Sequence, residues 1–176
     1  MPALGCQAVV AVTFAYSAAT KVAGRAAYAD FRGWLTSAAA VPRRHAGAVA
    51  AVMVAAEAAV ALAMLVPPLP PAGYVTAILL LAVFTAGVRS MMRRRVGIPC
   101  KCFGTGRRPP GRAHLARNAI LAAVAAAGLL MSAAGAAAPP IRPETALTAI
   151  AGITAALLLI NLDELVALYR PRAPRP

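Results

Sequence analysis

Long apolar runs alternate along this chain with short, arginine-rich segments. Five runs stand out, at residues 4–23, 46–66, 72–88, 116–138 and 145–162. A helix that crosses the hydrocarbon core of a bilayer needs about 20 mainly apolar residues, with a working range of about 17–25. The first, second and fourth runs meet this with room to spare, and the third and fifth lie near the short limit. Proline pairs punctuate the pattern: Pro67-Pro68 closes the second run and Pro139-Pro140 the fourth. The expected fold class is all-α, a polytopic transmembrane helical bundle. Four core helices fall within residues 1–140, and residues 141–176 add a C-terminal helix and a basic tail. Between the first two runs, Tyr28, Phe31, Trp34 and Leu35 recur at helical spacing among Arg25 and Arg32. That pattern predicts an amphipathic helix lying on the membrane surface.

Composition agrees with a lipid-facing exterior. Hydrophobic residues make up 61% of the chain, charged residues 13%, and the mean hydropathy is +0.72. Soluble domains are about 45–50% apolar and about 25% charged. A net charge of +13 would suggest nucleic acid in a soluble protein. Here the cations are gathered between apolar runs, so membrane lipid is the expected partner and nucleic acid is not. Lys21, Arg25, Arg32, Arg43 and Arg44 lie between the first and second runs. A denser group, from Arg89 to Arg117, lies between the third and fourth, and Arg170, Arg172 and Arg175 lie in the tail. Only Arg142 falls on the other side. Lys and Arg accumulate in cytoplasmic loops. The expectation is a multi-pass plasma-membrane protein with its N-terminus outside, its C-terminus in the cytoplasm, and the turn from Pro67 to Pro71 external. The first run lacks a preceding basic segment, so no cleavable signal is expected. Cys6 lacks the upstream hydrophobic region of a lipidation signal and reads as a small apolar residue.

The stretch Pro99-Cys100-Lys101-Cys102-Phe103-Gly104 carries the most chemistry. Two cysteines one residue apart can close a small, strained disulfide, and strain eases reduction. Pro99 favours extended geometry before it, and Gly104 permits a sharp turn. Lys101 and the nearby arginines favour thiolate over thiol. Three readings fit the spacing: reversible thiol–disulfide exchange, a metal site that uses both thiolates and His114, or two free loop cysteines. The metal reading lacks a fourth ligand. No metal or cofactor is expected, and the chain carries no nucleotide, haem or hydrolase motif.

Outside that stretch, Glu57 falls mid-helix, roughly 16 Å below the membrane surface at 1.5 Å per residue. An ionisable group at that depth is either functional or a fastener of the bundle. Tyr16, Ser17, Thr20 and Asn118 are its candidate partners. Lys21 is expected to extend to the inner surface. His114, Arg117 and Asn118 share one face at the start of the fourth helix, where Arg117 could stabilise a thiolate. His45 reads as a loop residue.

Pro-Cys-Lys-Cys-Phe-Gly, followed by His114-Leu115-Ala116-Arg117-Asn118, resembles the methylamine-utilisation MauE family of DoxX-like membrane proteins. Phe14-Ala15-Tyr16-Ser17, Lys21, Phe31, Pro42 and Glu57 agree with it. The resemblance spans roughly residues 4–138. It implies a four-helix MauE/DoxX-like core, with the fifth helix an addition. It also implies a part in maturing an exported, disulfide-containing partner, which in the founding members is the small subunit of methylamine dehydrogenase. Cys100 and Cys102 would then exchange disulfides with a thioredoxin-like protein and an exported client. Lys101, Phe103, Gly104, His114, Arg117, Asn118, Glu57 and Lys21 would tune or support them. Two other functions are open: a non-catalytic export scaffold or chaperone, and a small transporter that uses Glu57. Disulfides form outside the cytoplasm, whereas the charge pattern puts the cysteines inside. The pair would therefore exchange with a cytoplasmic donor or reach into the bundle, or the topology is inverted.

Overall fold

The computed structural model describes residues 2–38, 41–95, 97–99, 109–134, 143–162 and 165–166. It contains α1 (Pro2–Val22), α2 (Arg25–Ser37), α3 (Arg43–Ala63), α4 (Pro70–Arg93), α5 (Arg112–Ala133) and α6 (Pro143–Ile160), with no strand among the described residues. Helices α1, α3, α4 and α5 are long and apolar enough to cross a membrane. The apolar part of α6, Thr145–Ile160, is shorter.

Helix boundaries depart from the apolar runs where polar residues complete a terminal turn. Arg43, Arg44 and His45 form the first turn of α3. Pro70 and Pro71 open α4 rather than lying in the turn before it. Proline fits the first helical turn because its missing N–H has no intrahelical partner there. The polar residues Arg89, Ser90 and Arg93 carry α4 past the end of its apolar run. Arg95 follows with φ 53°, a left-handed conformation of the kind that commonly ends helices.

The core gathers Val10, Phe14, Val60, Tyr74, Leu81, Phe84, Leu121 and Ala125. The outside is also apolar: Leu62, Leu79, Val83 and Leu130 are between 61% and 71% exposed. Apolar groups on both the inside and the outside suit a bundle solvated by lipid. Helix α1 is central and packs against α2, α3, α5 and α6. Small residues set the close contacts. A Cβ on Gly73 would lie 2.5 Å from Met64 Cε and 3.0 Å from Ala63 Cβ, so α3 and α4 meet in a tight hairpin. A Cβ on Gly152 would lie 2.8 Å from the Gly5 carbonyl oxygen and 2.9 Å from Ala8 Cβ. Thr148 also contacts Gly5. These contacts advance in the same direction on both helices, so α6 lies parallel to α1.

Helix α2 corrects one expectation. Its apolar residues do not lie on the lipid surface. Phe31, Trp34 and Leu35 are buried in the protein, where α2 folds back onto the ends of α1 and α3. The Tyr28 hydroxyl donates to the Gly47 carbonyl at 3.2 Å, and Arg94 donates to the Ala38 carbonyl at 2.7 Å. Helix α2 is therefore a lid on the basic end of the bundle.

Candidate functional site

Thr13, Ser17 and Lys21 recur every fourth residue on one face of α1, and all three are buried. They meet Glu57 of α3, which is fully buried. Lys21 Nζ lies 2.8 Å and 2.9 Å from the two Glu57 carboxylate oxygens, and it donates to Ser17 Oγ at 2.7 Å. Ser17 Oγ in turn donates to Glu57 Oε1 at 3.0 Å. The Phe31 ring covers the ammonium at 5.3 Å, a favourable cation–π distance. A buried ion pair persists only when hydrogen bonds satisfy its remaining donors and acceptors. Ser17 supplies those hydrogen bonds here, and the Phe31 ring adds its cation–π contact.

Lys21 therefore does not extend to the membrane surface, where the chain pattern put it. Side chains on a helix lean toward its N-terminus. In the antiparallel pair α1 and α3, Lys21 leans inward and Glu57 leans toward the basic end, so the two meet. Of the candidate partners of Glu57, Ser17 is present. Tyr16 is 39% exposed, Thr20 donates to the Ser17 carbonyl at 3.0 Å, and Asn118 donates to Thr85 Oγ1 at 3.2 Å. Lys21 is the partner that sequence reasoning missed.

The lid leads from this pair to the cysteine motif. Phe31 stacks on Trp34 with ring centroids 6.0 Å apart. The Trp34 indole N–H donates to the Pro99 carbonyl at 2.8 Å. Pro99 directly precedes Cys100. Cys100, Lys101, Cys102, Phe103 and Gly104 themselves lie outside the described residues. On α5, His114, Arg117 and Asn118 do share one face, and it points into the bundle: all three are buried. Among the described residues no group of three or more His, Cys, Asp or Glu side chains is placed to hold a metal. The metal reading rests on Cys100 and Cys102. Cys6 is half-buried against the core.

Four helices long and apolar enough to span a membrane, a charged pair in their interior and a lid over their basic end define a small polytopic membrane protein. Residues 1–131 match the family model described as methylamine utilisation protein MauE. The chain is 34% identical over 134 residues to the methylamine utilization protein MauE of Paracoccus denitrificans, covering 75% of this chain and 71% of that protein. The chain belongs to the MauE family. The family match ends within α5, so α6 lies beyond it. No solved structure matches the chain.

Proposed function

We propose that this protein serves methylamine utilisation as a membrane thiol–disulfide exchange protein that matures an exported, disulfide-containing partner. Cys100 and Cys102 are the exchanging pair. A client thiolate attacks one sulfur of the Cys100–Cys102 disulfide and forms a mixed disulfide. The second client thiolate then releases Cys100 and Cys102 as a dithiol. The client loses two electrons and two protons, and the pair gains them. The exchange takes place at the cytoplasmic end of the bundle, before the client is exported, and a thioredoxin-like disulfide reoxidises the pair by the same reaction.

The observation that carries this reading is the Trp34–Pro99 hydrogen bond. It fixes the entry to the cysteine motif on the lid that covers Lys21 and Glu57. Family membership supports the process served. The transporter reading is weaker, because Lys21 and Ser17 already occupy the Glu57 carboxylate. In a host that needs this protein to grow on methylamine, Cys100→Ser and Cys102→Ser should each abolish complementation while the protein still accumulates in the membrane. Full growth of both variants would leave a scaffold role instead.

The proposed topology has the N-terminus outside and the C-terminus in the cytoplasm, with α6 as a fifth crossing. The basic segments and the parallel course of α6 beside α1 support it. A membrane-impermeant thiol reagent applied to intact cells should leave Cys100 and Cys102 unmodified. Modification from outside would invert the arrangement.

A further inference from the structure

Two clefts flank the outer side of α2 and share Ala29 and Arg32 in their walls. One, of about 400 Å³, is lined by Val22, Arg25, Tyr28 and Arg32. The other, of about 270 Å³, lies between α2 and the start of α3 and is lined by Arg32, Gly33, Thr36 and Arg43. Arg25 and Arg32 are seven residues apart and so share a face of α2. Arg43, the first residue of α3, adds a third guanidinium. All three are exposed, and none has a hydrogen-bond or ion-pair partner among the described residues. Asp30 lies on a different face of α2, well round from the arginines, and no carboxylate of the described residues lines either cleft. Arg32 runs beside Gly47 of α3: a Cβ at that position would lie 3.7 Å from Arg32 Nε, an ordinary contact distance.

The position of the clefts identifies the ligand. Val22 ends α1 and Arg43 begins α3, so the clefts lie where two crossing helices leave the hydrocarbon. Val22 is apolar and 52% exposed at the cleft wall. A site with guanidiniums above and an exposed apolar wall below suits an amphiphile with an anionic head. Guanidinium forks match phosphate oxygens in a bidentate geometry. Basic pockets beside transmembrane helices bind anionic lipid headgroups by the same chemistry.

We propose that Arg25, Arg32 and Arg43 form a binding site for the phosphodiester headgroup of an anionic phospholipid, held between the lid helix α2 and α3. The bound lipid clamps the lid at the basic end of the bundle. This site stands apart from the cysteine chemistry and does not depend on it.

The test is native mass spectrometry of the full chain from mixed micelles of phosphatidylglycerol and phosphatidylcholine with matched acyl chains. The wild type should retain phosphatidylglycerol with about tenfold or greater preference. Arg32→Gln/Arg43→Gln should lose that preference. Arg89→Gln/Arg93→Gln, which removes two exposed arginines of α4, should keep it. Millimolar inorganic phosphate should not displace the lipid. Equal retention of the two lipids by the wild type would overturn the proposal, and that result requires no variant to fold. Equal loss in both double variants would reduce the site to general surface charge and overturn it. Displacement by inorganic phosphate would make it a site for soluble anions and overturn the lipid assignment.

Discussion

Lys21→Met is expected to cost about 3–5 kcal/mol of stability, because it strands the Glu57 carboxylate in the interior without its counter-ion. Folded domains hold only about 5–15 kcal/mol in total, so this single change should sharply lower the unfolding temperature in detergent. The geometry explains the size of the effect. Glu57 is fully buried, and the Lys21 ammonium lies 2.8 Å away. Glu57→Gln should be milder, since an amide oxygen can still accept from Lys21 and Ser17, although the ammonium loses its charge partner. The double change Lys21→Met/Glu57→Leu removes both charges and should recover most of the lost stability, as replacing a buried pair by apolar residues often does. That recovery separates two roles. A stable double variant that fails to support growth on methylamine would show that the pair acts in function. A stable and active one would make it a fastener of α1 to α3. A Lys21→Met protein that unfolds at the wild-type temperature would contradict the buried pair itself.

Gly128→Leu is expected to destabilise the contact between α4 and α5 by about 1–3 kcal/mol, the usual range for overpacking a filled core. Any Cβ at position 128 would collide with the Tyr74 ring. Tyr74 is almost wholly buried, and its hydroxyl points to the Ala3 carbonyl of α1 at 3.4 Å. The ring therefore cannot move aside without disturbing three helices. Tyr74→Ala combined with Gly128→Leu should recover part of the loss, because the leucine would then occupy the space left by the ring. Unfolding temperatures of the single and double variants check this. An unchanged temperature for Gly128→Leu would show that α5 can shift freely against α4.

The helices were legible in the sequence because lipid imposes a simple requirement, a long apolar run, and α1, α3, α4 and α5 all satisfy it. Their ends were less legible. The first turns of α3 and α5 are built from arginine and histidine, and hydropathy is blind to a polar turn that remains helical. The amphipathic pattern of α2 predicts a helix, and a helix is there, but its apolar side faces protein rather than lipid. A pattern of apolar positions reports that a face is buried and does not report what buries it. Lys21 shows the same limit at one residue. A lysine one residue from a helix end usually reaches water. Only the antiparallel placement of α3 makes Glu57 its partner. A signal was present in the four-residue spacing of Thr13, Ser17 and Lys21, a polar stripe on an otherwise apolar helix. Glu57, isolated in a hydrophobic run, was conspicuous at once. His114, Arg117 and Asn118 were legible as one face from spacing alone, and the structure adds that this face points inward.

The central claim is that Cys100 and Cys102 exchange disulfides with a partner. Its most direct test is trapping of the exchange intermediate. Cys100→Ser and Cys102→Ser variants, each also carrying Cys6→Ser, would be quenched with acid in cells growing on methylamine and their adducts identified by mass spectrometry. At least one single-cysteine protein should carry a mixed disulfide to an exported client or a thioredoxin-like protein, and the variant lacking both cysteines should carry none. If both single-cysteine proteins are recovered only as free thiols while the wild-type cysteines also remain reduced, thiol–disulfide exchange is not what this protein does.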